Sequence, residues 1–244
     1  SIDLENSPRF NQLVLPRILK YYYPRAHGVV TLSRGSADDV ARVIGLSRQA
    51  IHVIYSPVAT ASLLDRSKQP IDHGWLQGND VPVIVGMGRL TRQKDFGTLI
   101  RAFAQVRKQL PSRLLILGEG EDRIPLEDLC RHLGVADDVN LPGFVANPYA
   151  YLARAALFVL SSRWEGFGNV LGEALAVGTP VVSTDCPNGP SEILNGGAYG
   201  QLVPVENDEA MAAAIIRSMK GDFVAAPQND QLGLFDADAN IDRY

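Results

Sequence analysis

Between residues 81 and 185 the sequence carries five short apolar runs: VPVIVGMG (81–88), RLLILGE (113–119), VNLPGF (139–144), LFVLSS (157–162) and PVVSTD (180–185). The runs are continuous rather than alternating, as expected of parallel strands covered on both faces. Stretches of helical periodicity fill the gaps at 95–110, 125–133, 148–156 and 169–177. This alternation predicts an α/β fold, a Rossmann-like doubly wound parallel sheet. Ligands of such sheets bind beyond the carboxyl ends of the strands, so the residues just after each run are the ones to read for chemistry.

The flanks are weaker. Residues 1–57 read as helix (11–22), strand (28–33), helix (36–44, with Ser36 as N-cap and Asp39 three residues on) and strand (51–56). That is too short to enclose a core, and it reads as the tail of a preceding domain. Residues 58–80, rich in turn formers and containing Trp75, read as a linker to a domain at 81–220. An amphipathic helix is expected at 207–219, a loop at 221–233 and a terminal helix cut short at 235–244. The sequence opens on Ser1 rather than methionine, so a natural amino terminus is expected upstream.

Composition narrows the function. Hydrophobic residues make up 46% of the 244, enough for a sizeable core. The formal net charge of −4 argues against a nucleic-acid binder, which carries a basic patch or stripe. It does not argue against a small anionic ligand, for which two or three local cations suffice. Cys130 and Cys186 are the only cysteines, so no disulfide framework is expected and a reducing cytoplasm is the simplest compartment. No apolar run approaches the ~18 residues of a membrane span. The segment Lys20-Tyr21-Tyr22-Tyr23-Pro24-Arg25 mixes cations with aromatics and suits either an anionic lipid interface or, the favoured alternative, a helix end packed on protein.

After the first apolar run comes Gly86-Met87-Gly88-Arg89-Leu90-Thr91-Arg92-Gln93-Lys94-Asp95. Glycines let backbone approach a ligand, and Arg89 and Lys94 can converge on one anion, a diphosphate being a natural guest. Taken alone, two loop cations read more readily as ordinary surface charges. The third glycine of a dinucleotide fingerprint is missing, which disfavours an oxidoreductase. After the fourth run, Glu165 lies in a Gly-rich loop that opens a helix, with Asn169 as the expected N-cap, Gly178 at its carboxyl end and Pro180 as a stop. Amides of Gly168, Asn169 and Val170 at such a helix start can donate to phosphate, and Glu173, one turn on, can accept from a hydroxyl pair. Solvated charges with a capping role are the alternative for both glutamates, weakened by their flanking one anion-binding helix start.

Backbone around Val145 and Asn147 can read a nucleobase edge, or 141–147 is a plain turn with Asn147 as N-cap. The segment 185–192 (DCPNGPSE) is stiff and polar and can close a site, although a structural turn is favoured; Cys186 has no histidine nearby to activate it. The histidines, His27, His52, His73 and His132, lie outside the strand-end loops and lack metal-ligand spacing.

In this order the pieces resemble glycosyltransferase family 4, the large retaining family once called glycosyl transferases group 1. The matching stretches are VIYSPV (53–58), 86–103, LLILGEGEDR (114–123), 141–194 and YGQLVPV (199–205), with Glu165 and Glu173 in the family's Glu-x7-Glu spacing. The resemblance implies a GT-B architecture lacking most of its N-terminal domain: 1–57 is then the tail of the acceptor-side domain, 81–220 the nucleotide-sugar-binding domain, and 221–244 a loop and shortened helix. It also implies roles. Arg89 and Lys94 clamp the diphosphate and, with Glu165 at the transferred sugar, form the catalytic set. Glu173 takes the ribose. Gly88 and the amides of Gly168, Asn169 and Val170 meet phosphate and sugar, and Val145 and Asn147 lie at the base. The Arg/Lys pair stands in for a metal, so neither metal nor cofactor is expected. The implied partners are a nucleotide sugar, UDP-linked as in bacterial members that build polysaccharide or glycolipid repeat units, and a glycan or glycolipid acceptor, while the charge balance speaks against nucleic acid; the implied place is the cytoplasm, or peripherally the inner face of the cytoplasmic membrane. A non-catalytic nucleotide-sugar-binding module is the competing expectation.

Overall fold

The structure, a computed structural model, describes residues 9–58, 60–78 and 81–226. It opens with α1 (Arg9–Tyr22), followed by β1 (Val29–Thr31), α2 (Arg34–Ile44) and β2 (Ile51–Val53); β1 and β2 pair in parallel as a two-stranded sheet. The cap of α2 corrects the sequence expectation. Ser33, not Ser36, is the N-cap: its backbone is extended and its side chain accepts from the Ser36 amide. Of two serines three apart, the one outside the helix caps and the one inside is capped.

Residues 58–80 are not a free linker. They hold α3 (Ala61–Ser67), capped by Thr60, whose buried Leu63 faces the body of the protein. The guanidinium of Arg154 donates to the Ser67 carbonyl at 3.2 Å, and Asn147 donates to that of Arg66 at 2.9 Å.

The body alternates strand and helix throughout: β3 (Val83–Met87), α4 (Phe96–Arg107), β4 (Arg113–Leu117), α5 (Arg123–His132), β5 (Val139–Gly143), α6 (Pro148–Leu152), β6 (Leu157–Leu160), α7 (Asn169–Ala176), β7 (Val181–Thr184), α8 (Pro190–Ile193), β8 (Gln201–Val203) and α9 (Asp208–Lys220). The six strands form one sheet in the order β5-β4-β3-β6-β7-β8, every pair parallel. The sixth strand, β8, was not expected from the apolar runs. It has three residues, and its Gln201 is buried because the side-chain amide donates to Ala214 and Ser218 of α9. Asn207 caps α9, whose side chain accepts from Ala210. The helix expected at 235–244 lies outside the described residues.

Each face of the sheet carries its own core. On one, Leu99 and Phe103 of α4 meet Leu126 of α5 and Met211 and Ile215 of α9. On the other, Leu171 and Leu175 of α7 pack with Phe158, Leu152 and Ile193. The chain steps outward from β3 through β4 to β5, then returns to the other side of β3 and continues from β6 to β8. The carboxyl ends of β3 and β6 are therefore adjacent strands whose following loops diverge, the position at which doubly wound sheets bind ligands.

Candidate functional site

The loops that leave β3 and β6 are fastened together. The Arg163 amide donates to the Gln93 carbonyl at 2.8 Å, the Gln93 side chain to the Trp164 carbonyl at 2.9 Å, and Ser161 Oγ to the Lys94 carbonyl at 2.7 Å. Asp95 anchors the bundle. It is the N-cap of α4, buried, with φ 46° in the left-handed region, which Asp tolerates better than most residues. It accepts from Thr98 Oγ1 at 2.9 Å and from Arg163 Nε at 3.2 Å, and Arg163 reaches on to Glu206 at 2.8 Å.

That fastening brings Lys94 to Glu165. The Lys94 ammonium donates to Glu165 Oε1 at 2.5 Å, and Ser162 Oγ donates to the same oxygen at 2.6 Å. Glu165 is only 6% exposed, and its amide donates to the Pro187 carbonyl at 3.2 Å. Burial of a charge is tolerable here because it is paired and hydrogen-bonded.

Glycine is required at the next step. Gly168 has φ 91° and is the N-cap of α7, so Asn169, expected to be the cap, is instead the first helical residue. A left-handed cap turns the chain sharply and leaves the amides of Asn169 and Val170 without intrahelical acceptors. The segment 185–192 braces this turn from behind. Gly189 has φ 121°, and a Cβ there would lie 1.7 Å from the Phe167 carbonyl oxygen.

One turn into α7, Glu173 is half-buried. Burial raises its carboxyl above the ordinary glutamate range, and the charge of Arg66 opposes the shift. Arg66 lies over the Tyr149 ring at 4.7 Å and donates to the Ala146 carbonyl at 2.7 Å. Tyr149 is raised in turn, by burial and then by the charge of Glu173.

These groups open on one cavity of about 390 Å³. Gly88, Lys94, Glu165, Gly168, Asn169, Val170 and Glu173, all singled out in the sequence, line it. Leu32, Met87 and Phe167 line it too and carried no sequence signal, being apolar residues at strand ends or in a loop. Arg89, Val145 and Asn147 are not among its lining residues. The Arg89 side chain is 77% exposed and stands 3.9 Å from Glu121. Asn147 begins α6 without a side-chain cap; its amide nitrogen donates to Arg66 and Gln69, while its Oδ1 is buried with no hydrogen-bond partner. Beside it Phe144 is 81% exposed.

Cys186 is not a nucleophile in waiting. Burial, reinforced by the Glu165 charge, pushes its thiol up to about 12, so it is protonated at neutral pH. Among the described residues, no group of three His, Cys, Asp or Glu could hold a metal ion, and no helix is long and apolar enough to cross a membrane. At the end of α1 the Arg25 guanidinium lies over the Tyr21 ring at 3.8 Å, and Tyr22 is exposed.

The sequence pattern of the family described as Glycosyl transferases group 1 matches residues 81–220. The chain is 31% identical over 213 residues to the N-acetylgalactosamine-N,N'-diacetylbacillosaminyl-diphospho-undecaprenol 4-alpha-N-acetylgalactosaminyltransferase of Campylobacter jejuni, covering 87% of this chain and 56% of that one. It is 32% identical over 229 residues to the lipopolysaccharide core biosynthesis glycosyltransferase LpsE of Rhizobium meliloti, covering 91% and 64%. It thus spans between 56% and 64% of the length of these curated relatives. Among solved structures, HepE from Anabaena in complex with UDP superposes with a TM-score of 0.71 at 21% identity, over 98% of this chain and 64% of that one.

Proposed function

This chain belongs to the group 1 glycosyl transferases, and we propose that it is the donor-binding part of a retaining enzyme that moves a sugar from a UDP-linked donor to a polysaccharide or glycolipid acceptor. One observation carries this: a helix N-terminus, an ammonium and two carboxylates converge on a single cavity at the switch point of the sheet. A nucleotide sugar presents matching chemistry, with a dianionic diphosphate between two hydroxyl-bearing rings.

In this assignment the start of α7 receives the diphosphate through the amides of Gly168, Asn169 and Val170. Lys94 supplies a fixed cation, and exposed Arg89 folds over from the β3 loop as the second. Together they stabilise charge developing on the leaving diphosphate, the role a metal fills elsewhere. Glu173 accepts from the ribose hydroxyls. Glu165, held by Ser162, faces the transferred sugar, and Lys94 is shared between it and the phosphate. The turn before α6 is assigned to the nucleobase edge: Val145 there is half-buried, and the Asn147 Oδ1 is without a hydrogen-bond partner. The UDP assignment is supported by the shared fold with HepE, which was solved with UDP. The acceptor class is supported by relatives whose names specify a diphospho-undecaprenol substrate and lipopolysaccharide core synthesis. Peripheral membrane contact through α1 is proposed to be weak at most, because Arg25 is already engaged by Tyr21.

Calorimetry on this chain with UDP, GDP, ADP and NADH tests the reading. UDP is expected to bind best and NADH not at all. Binding of NADH in preference to every nucleoside diphosphate would reverse it.

A further inference from the structure

The helix start of α2 is held by the opposite end of the sequence. Both oxygens of Glu192, in α8, accept backbone amides there: Arg34 at 2.9 Å and Gly35 at 3.0 Å. With Ser33 Oγ taking the Ser36 amide at 3.0 Å, the amides of the first three helical residues, Arg34, Gly35 and Ser36, all have partners. A carboxylate suits that helix end, and its bonds are charge-assisted. The approach is close: a Cβ on Gly35 would lie 2.4 Å from Asn188 Oδ1, and Asn188 itself donates to Asp39 at 2.8 Å.

What the contact positions lies at the cavity. Ser36 Oγ donates to the Gly166 carbonyl at 2.9 Å, and Ser33 Oγ, donating to Ser36 Oγ at 2.8 Å, lies 3.3 Å from the same carbonyl. Gly166 follows Glu165 directly. Tyr55 completes the link, stacking on Phe167 at 5.5 Å and donating to Glu192 at 3.2 Å. Leu32, next to Ser33, is a wall of the cavity.

We propose that Glu192 and Ser36 are positioning residues of the donor site: Glu192 seats α2 by its N-terminus, and Ser36 thereby fixes the loop that carries Glu165. The consequence for ligand rests on the reading of the cavity as a nucleotide-sugar site. Glu165 is the carboxylate assigned to the transferred sugar, so loosening its loop costs recognition of the sugar more than of the nucleotide.

Amide hydrogen exchange on this chain tests the positioning without any ligand. Ser36→Ala leaves the helix cap and both Glu192 bonds in place. It should speed exchange across 165–170 by about tenfold or more, with 34–37 and the central sheet unchanged. Glu192→Ala should speed exchange in both segments, and Glu192→Gln, of the same length with one acceptor oxygen, should fall between. Wild-type rates at 165–170 in both Ser36→Ala and Glu192→Ala would overturn the proposal, leaving Glu192 as a helix cap alone. Calorimetry supplies the second readout. In Ser36→Ala, the affinity for UDP should stay within about threefold of wild type, while any gain of UDP-glucose over UDP should be lost. A matching loss for UDP and UDP-glucose would count against positioning. If wild type binds neither, the nucleotide-sugar reading fails, and the exchange data still decide whether α2 fixes the loop.

Discussion

Burial lifts the carboxyl of Glu173 above the ordinary glutamate range, and that sets stability against binding at one residue. A raised carboxyl contributes its stability below its unfolded value and loses it as pH rises through the folded one, so at neutral pH its ionisation strains the fold. Glu173→Gln should therefore melt higher than wild type at pH 7, with the difference shrinking in acid. With Glu173 assigned to the ribose hydroxyls, binding has the opposite sign, because the ionised carboxylate is the stronger acceptor. Wild-type affinity for UDP should fall as pH drops through the raised value, whereas Glu173→Gln should bind about 1.5–3 kcal/mol more weakly at neutral pH, the range for a hydrogen bond to a charged group, and show little pH dependence. Thermal melts and calorimetry between pH 4.5 and 8 read both, and a variant that melts lower at pH 7 sinks the account. Lys94 and Arg89 separate in the same way. Lys94 is paired with buried Glu165, so Lys94→Ala should cost roughly 3 kcal/mol of stability, the low end for breaking a buried pair, and Lys94→Met with Glu165→Gln should recover most of it. Exposed Arg89 should lose under about 0.5 kcal/mol as Ala yet weaken UDP by about 1–3 kcal/mol and uridine hardly at all.

Among the elements, those with a long, uninterrupted period were legible and those fixed by distant partners were not. The runs that became β3, β4, β5, β6 and β7 announced themselves because parallel strands buried on both faces must be apolar throughout. β8 did not, since its three residues include a Gln that is buried only because α9 satisfies it. α3 was hidden in a turn-rich stretch; it is short, and packing against Arg154 and Asn147 holds it more than its own propensity. Caps were read one residue or one turn too late, at Asn169 for Gly168 and Ser36 for Ser33. Composition marks a helix start, but the residue that caps is set by which backbone leaves the helical region. Asp95 tests this at the head of α4. It combines a left-handed backbone, a cap on Thr98 and a bond from Arg163. Asp95→Asn should cost less than Asp95→Ala, because Asn tolerates the conformation and keeps one acceptor oxygen, although it loses the one that Thr98 Oγ1 and Arg163 share. Asp95→Ala should cost about 2–3 kcal/mol, summing a lost cap and the strain of a left-handed alanine, measured by denaturant unfolding. Equal stability of the two variants would show that the cap and backbone are idle.

At the scale of the whole molecule, the sheet and the side of the cavity built on it could be read from the sequence; the facing side could not. Glu165, Gly168 and Glu173 fall within one strand-end loop and its helix, so their spacing alone put them together. Ser36 and Gly166 meet across 130 residues of sequence, and no local pattern records such a contact. Leu32 and Ser36 show that the first zone contributes to the site, but what they contribute is one wall and a brace for a loop, with no charged or nucleophilic group facing the cavity from that zone among its lining residues. Transfer asks for more. The acceptor must be held against the anomeric carbon, and orientation of that kind accounts for roughly 7–11 kcal/mol of barrier lowering; 213 residues of this chain cover only 56% of the Campylobacter jejuni relative. The groups assigned to the donor are all present on this chain, so binding and catalysis should come apart. The isolated 244-residue chain should bind UDP, with Glu165→Ala weakening a UDP-sugar more than UDP, and should release no transferred product from radiolabelled donor under conditions where calorimetry shows the site filled. Turnover would mean that this cavity and its single wall orient an acceptor unaided, and the assignment of 81–220 to donor binding alone would have to be abandoned.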